Sequence, residues 1–379
     1  MSQEEITTKY NLVDSIADWM TSSGIQSPDG GVYAWYDVET GKHSYLYSEI
    51  TGYAVTAFLY LHKLYNRIEY VERAEKAAEW VIKNALSDCG GVKTRYFTDK
   101  DSVDEHTSFS GGNIFSFDTA MVLYGFANLY KTTNKTIYLE YAKKMADFLV
   151  ETMQKPDGSF IAIYNEKTGS VSNSTKKWST QSGSFHAKNA LGLVATYEIT
   201  KDERYKDAAV KVCEFALTRQ EESGRFITDT ASLCTHMHPH CYTIEGLSFV
   251  GSTFGIEKFT KAAERAAYWA LSRTDENGIN ETYFPATDTF SDFQRSDVLA
   301  QVLRMGLLFV KDQSIDHLAK VLLKYRTDQD HNGEKDGFFY SSTHEHVNFW
   351  CTMFALQALS IYYDKDLIPK NGERFDLLV

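Results

Sequence analysis

PDGGVYAW, residues 28–35, is a glycine-centred turn followed by a short β-branched and aromatic run, and it returns five more times along the chain. The later copies are CGGVKTRYF (89–97), PDGSFIAIY (156–164), ESGRFITD (222–229), ENGINETYF (276–284) and KDGFFYSS (335–342). With Gly31, Gly91, Gly158, Gly224, Gly278 and Gly337 as markers, the intervals are 60, 67, 66, 54 and 59 residues. A period of that size holds one helical hairpin and its loops, so the turn punctuates a repeated supersecondary unit.

Between the markers lie paired segments with apolar residues at three- and four-residue spacing. The first of each pair is strongly apolar: ITGYAVTAFLYLHKLY, SFDTAMVLYGFANLY, FHAKNALGLVATYEI, YTIEGLSFVGSTF, SDVLAQVLRMGLLFV and NFWCTMFALQALSIYY. The second is amphipathic: VERAEKAAEWVIKNAL, LEYAKKMADFLVETM, YKDAAVKVCEFALTRQ, FTKAAERAAYWALSR and SIDHLAKVLLKYR, with YNLVDSIADWMTSS at the N-terminus as the sixth. A helix apolar all round belongs inside and an amphipathic one outside. The pattern predicts an all-α chain, an (α/α)6 toroid of six inner and six outer helices closed by pairing of the N- and C-terminal helices. Residues 1–379 are read as a single domain of this kind.

Composition narrows the function. The net charge is −12 with no basic tract, which argues against nucleic acid as a partner. The start MSQEEITTKY is polar and acidic and no apolar run reaches the length of a membrane span, so a soluble, cytoplasmic protein is expected. Cys89, Cys213, Cys234, Cys241 and Cys351 are few and odd in number, which suits a reducing compartment better than a disulfide framework.

In a toroid the glycine turns share one rim with the inner-helix N-termini, and polar residues crowd there. Repeat one offers Trp35, Tyr47, Glu49 and Tyr53; repeat two Asp118; repeat three His186 and Lys188 behind the loop residues Lys176, Lys177 and Trp178. THMHPHCYTIEG (235–246) supplies His238, His240, Tyr242 and Glu245. Repeat five adds Arg295 and Asp297, and repeat six Asn348 and Trp350. Aromatic faces stack on pyranose rings and fixed polar groups hold hydroxyls or a carboxylate, so this set suits a sugar pocket.

The same histidine-rich stretch has ligand atoms in Cys234, His236, His238, His240 and Cys241, but not the spacing of common zinc modules. Pro239 reads as holding it extended, which makes it an approach loop with His238 or His240 as the substrate contact. DQDHNGEKDG (328–337) begins like a calcium loop through Asp328, Asp330, Asn332, Gly333 and Asp336, yet its twelfth position is Phe339 where a bidentate glutamate is needed. No metal and no cofactor are expected.

SEITGY (48–53), FDTAMVLYGF (117–126), FHAKNALGL (185–193), HPHCYTIEGL (238–247) and NFWCTMFALQAL (348–359) together resemble a group of intracellular toroid proteins encoded with polysaccharide-biosynthesis and surface-glycan genes. That group is similar to the C-terminal domain of glucuronyl C5-epimerases and, more distantly, to six-hairpin glycosidases. The resemblance implies an enzyme acting on a uronic-acid-containing oligosaccharide or carrier-linked glycan by C5 proton abstraction, epimerase- or lyase-like. On that reading Glu49, Tyr53, Asp118, Tyr242 and Glu245 are the candidate acid/base groups. Trp35, Tyr47, His186, Lys188, His238, His240, Arg295, Asp297, Asn348 and Trp350 contact the substrate. A glycoside hydrolase drawing a carboxylate pair from Glu49, Asp118, Glu245 and Asp297 is the first alternative, and a non-catalytic glycan-binding toroid the second.

Overall fold

The computed structural model describes residues 3–98, 103–310, 315–327, 335–370 and 373–379. Its inner helices are α2 (Ser48–Tyr65), α4 (Ser116–Thr133), α6 (Ala190–Thr200), α8 (Met237–Phe254), α10 (Ser296–Phe309) and α12 (Phe349–Tyr363). A tight helical turn, Ser184–Asn189, leads into α6. The outer helices are α1 (Gln3–Ser22), α3 (Ile68–Trp80), α5 (Thr136–Phe148), α7 (Glu203–Leu217), α9 (Glu257–Ser272) and α11 (Asp316–Leu323). Neighbouring inner helices pack in chain order, α12 returns to α2, and α1 packs on α12, so the ring closes through its first and last helices. The expected (α/α)6 toroid is the fold.

The glycine turns have a repeated physical cause. Gly30, Gly90, Gly158 and Gly224 have φ of 105°, 92°, 86° and 97°, the left-handed region that favours glycine. Each also lies on a backbone carbonyl of the next outer helix, of Lys76, Lys144, Lys211 and Arg265, where an added Cβ would sit 2.2, 2.4, 2.3 and 2.5 Å from the oxygen. A side chain there is excluded twice over. In repeats one and two the strained position is thus one residue before the marker read from sequence. In repeat six it is Asp336, with φ 76°.

Beyond each turn the chain runs extended along one rim and stitches adjacent repeats together. Trp35 pairs with Asn348 and Tyr36 with Val347, joining repeats one and six; Tyr47 pairs with Arg95, joining one and two. Asn113–Phe115 pairs with Ile163–Asn165, and Thr235–His236 with Thr282–Tyr283. The inner helices are then tied to the turns by a side chain one turn in. The fourth residue of α2, α4 and α12 is Thr51, Thr119 and Thr352, whose hydroxyls accept the amide protons of Val32, Val92 and Phe338 at 3.0, 3.1 and 3.0 Å.

Candidate active site

The rim where the inner helices begin holds a cavity of about 420 Å³. It is built from the second residue of successive inner segments: Glu49, Phe117, Phe185, His238 and Trp350 all line it. The equivalent in α10, Asp297, lies just beneath, fully buried. Tyr53 and Tyr242, one turn deeper on α2 and α8, form the floor, and Tyr45, Tyr47, Arg95, Asp104, Asp118, Lys176, Lys177, Trp178 and Arg295 complete the walls.

A second polar layer underlies that floor. Lys188 Nζ stands 2.7 Å from Glu245 Oε2, and Arg304 bonds the other carboxylate oxygen; the side chains of all three residues are 0 % exposed. Arg304 also donates to Gln357 Oε1 and, at 2.8 Å, to a main-chain oxygen of Val379. Lys188 Nζ lies 4.1 Å from the Tyr242 ring centre and 5.1 Å from that of Tyr53, so the floor tyrosines roof a buried cation. Burial lowers Lys188 to about 8 against the pull of Glu245. Burial pushes Glu245 up, yet Lys188 and Arg304 together hold it below its ordinary value.

Several expected site residues are therefore elsewhere. Because α8 starts at Met237 rather than Tyr242, Glu245 sits a further turn and more down the barrel, and it and Lys188 lie below the floor as a buried ion pair. Nor is the chain extended at Pro239, which is the third residue of α8, in the first turn, where a missing N–H costs nothing. His240, fourth in α8, takes the tethering place of Thr51, Thr119 and Thr352. Its Nδ1 accepts from the Phe226 amide at 3.4 Å and its Nε2 donates to the Ala266 carbonyl at 3.1 Å. It faces the outer ring and does not line the cavity. His186 is likewise buried, with Nδ1 accepting from the Gly183 amide at 3.4 Å and Nε2 on Ser116 Oγ at 3.2 Å. Trp35 stacks on His346 behind Trp350, and Asn348, 1 % exposed, lies outside the cavity lining. His240→Ala is expected to cost about 2–4 kcal/mol in urea unfolding, from two lost hydrogen bonds and a cavity, while sugar binding by the folded fraction persists. Loss of binding at unchanged stability would return His240 to the site.

No group of three or more histidine, cysteine or acidic side chains among the described residues could hold a metal ion, and the cysteines are free thiols. Of the acidic loop, residues 328–334 lie outside the described residues; Asp336 is engaged by Arg326.

What remains in the cavity is a set of titratable groups in unequal surroundings. Two acceptors face His238 Nδ1, Gln301 Oε1 at 2.5 Å and Asp297 Oδ2 at 3.5 Å, so the proton resides on Nδ1 and the Nε2 lone pair is left for the cavity. Burial lowers His238 to about 4, with Asp297 opposing. Asp297 is itself clamped by Arg295, through Nε at 3.0 Å and Nη2 at 2.5 Å. Across the ring, burial raises Glu49 above its ordinary value, opposed by the Tyr47 hydroxyl, Arg95 and Lys188. Asp118 is held well above its own, first by burial and then by the charge of Glu49. Two carboxyls that share one pocket cannot both ionise freely, so the pair retains a proton at higher pH than either carboxyl alone. Burial likewise drives the Tyr53 and Tyr242 hydroxyls well above 10.

Arg95, Tyr45, Phe117 and Asp104 are cavity residues that the helix pattern does not single out. CGGVKTRYF carries a signal for Arg95, since residues at alternate positions after a turn face opposite sides of the rim.

Comparison with known proteins places these features. The glycosyl hydrolase family 76 model matches residues 10–161 and the glycosyl hydrolase family 88 model matches residues 91–234. No curated protein matches in sequence. Among solved structures, a D-mannose isomerase is similar with a TM-score of 0.74 at 12% identity, covering 94% of this chain and 98% of that one. Cellobiose 2-epimerase from Bacillus thermoamylovorans has a TM-score of 0.73 at 12% identity, with 93% and 99% covered. An α-1,6-mannanase of Salegentibacter sp. HEL1_6 has a TM-score of 0.63 at 10% identity, with 93% and 98% covered. The chain thus has the (α/α)6 toroid fold that sugar isomerases, epimerases and six-hairpin glycosidases share.

Proposed function

We propose that the protein is a carbohydrate-active enzyme that moves a proton at a sugar carbon beside a carboxylate, in the manner of an epimerase or lyase, on a uronic-acid-containing oligosaccharide or carrier-linked glycan. One observation carries this: His238 on α8, its Nδ1 turned to Gln301 and Asp297, shares one cavity with the Glu49 and Asp118 carboxyls on α2 and α4, and α8 stands opposite α2 in the ring. Inversion at carbon needs an acceptor on one face of the sugar and a donor on the other. His238 is the acceptor, and the imidazolium it becomes is stabilised by Asp297. Glu49 and Asp118 together are the donor. This keeps Glu49 and Asp118 as acid/base groups, as expected from sequence, but moves His238 from substrate contact to acid/base group and withdraws that role from the tyrosines and Glu245.

A hydrolase is the second reading, favoured by the Glu49–Asp118 pair and by the two glycosyl hydrolase family matches. Product analysis with uronic-acid oligosaccharides separates the two. An inverted residue, or new ultraviolet absorbance from an unsaturated one, supports proton abstraction. New reducing ends without absorbance would overturn it in favour of hydrolysis.

The acid/base assignment sets a pH profile. Activity requires His238 neutral, so the rising limb lies below the ordinary histidine value of 6.5, towards about 4. It also requires a protonated carboxyl, so the falling limb lies above the ordinary carboxylate range. In Glu49→Gln the charge that raises Asp118 is gone, and the falling limb of kcat/KM should move to lower pH. An unmoved limb would remove the pair from the mechanism.

A further inference from the structure

We infer that Arg95 is the residue that grips the substrate's carboxylate and makes the pocket select uronic acids over neutral sugars. The inference takes its substrate class from the function proposed above, but not its reaction type.

Among the described residues, four cations line the cavity: Arg95, Lys176, Lys177 and Arg295. Arg295 is committed, held by Asp297 through Nε and Nη2 and by Glu281 at 2.7 Å through Nη1. Lys176 and Lys177 are exposed on a loop, and an exposed lysine is a mobile, hydrated point charge. Lys188, below the floor, is sealed by the tyrosine rings and paired with Glu245. Lys188 is thus cut off from the cavity, and Asn348, the other polar contact expected from sequence, does not line it.

Arg95 differs from all of these. Among the described residues no carboxylate stands within ion-pairing distance of it, and its Nε is buried without a hydrogen-bond partner. Its bond to Thr107 is a long one, Nη1 to Oγ1 at 3.4 Å, and the Tyr47 hydroxyl lies alongside. The nearby Asp104 carboxylate is occupied by the Thr107 hydroxyl at 2.9 Å and the His106 amide at 3.0 Å. Yet the guanidinium is held in place. It lies 4.7 Å from the Tyr45 ring centre and 5.2 Å from that of Tyr47, and its backbone is fixed by the pairing with Tyr47 and by a 3.0 Å bond to the Thr107 carbonyl. A planar fork stacked on tyrosines, with donors to spare, matches a carboxylate in bidentate geometry. A sugar carboxylate at Arg95 lies beside the Glu49–Asp118 wall, where a fixed positive charge would neutralise the charge that develops on C5 deprotonation.

The test is calorimetric titration of the wild-type chain, Arg95→Met and Arg95→Lys with a glucuronate-terminated disaccharide and its carboxyl-reduced counterpart. The wild type should bind the uronate at least about tenfold more tightly, a margin of one charge-assisted hydrogen bond. Arg95→Met should shrink that ratio to within about threefold, and Arg95→Lys should recover part of it, with all three chains melting within a few degrees of one another. A wild type without preference, or an Arg95→Met variant that keeps it, overturns the inference. If the ratio collapses as expected while the wild type moves no proton in any uronate, the reaction type fails and the role of Arg95 stands. Proton exchange with an undiminished ratio in Arg95→Met means the reverse.

Discussion

Glu245→Ala is expected to destabilise the protein by about 3–5 kcal/mol, more than any substitution in the cavity wall should. The change strands the buried cation Lys188 and takes from Arg304 its acidic side-chain partner; both side chains are 0 % exposed, at the centre of the inner barrel. Neither has another acidic side chain in contact: Arg304 keeps the Gln357 and Val379 oxygens, and Lys188 the aromatic faces. The cost is the penalty of an uncompensated buried charge rather than the worth of the pair. Removing Glu245 and Lys188 together, as Glu245→Met with Lys188→Met, should therefore recover much of the loss. Urea unfolding of the two singles and the double measures this directly. A Glu245→Ala loss below about 1 kcal/mol would mean that the layer is hydrated and that Glu245 belongs to the pocket after all.

His238→Gln is expected to have the largest effect on turnover, lowering kcat by about 10²–10⁴-fold with KM changed only a few-fold. Glutamine can keep a contact with Gln301 and fill much of the ring's space, but it has no lone pair that accepts a proton at neutral pH. Stability should change little, since the wild-type ring is neutral and partly faces the cavity. A variant that retains kcat while losing affinity would show that His238 only binds, and would pass the acceptor role to another group.

The toroid is legible in the sequence because its cause is local and repeated. A left-handed glycine pressed on an outer-helix carbonyl has no substitute in most repeats, so PDGG, PDGS and ESGR survive as a visible punctuation. The rim is legible for the same reason: Glu49, His238 and Trp350 share one place in their helices. Depth is not. An ionisable residue in an apolar helix looks alike whether it lines a cavity or pairs below it, and only the true start of α8 puts Glu245 in the lower layer. His240 misleads because a proline before it suggests extended chain, although the first helical turn accepts proline freely. Aligning the repeats on Thr51, Thr119 and Thr352 exposes it as a tether. Arg95 is hidden because its importance comes from pairing with Tyr47, a contact between repeats that neither segment announces alone.

The central claim is that His238 takes a carbon-bound proton from the sugar and that the Glu49–Asp118 pair returns one. The most direct measurement is nuclear magnetic resonance of uronic-acid oligosaccharides incubated with the enzyme in deuterated water. With the wild type C5 should lose its hydrogen, to deuterium in an inverted product or to the double bond of an unsaturated one, and that loss should slow by the same factor as turnover in His238→Gln. Product formation with C5 still carrying its original hydrogen would contradict the account.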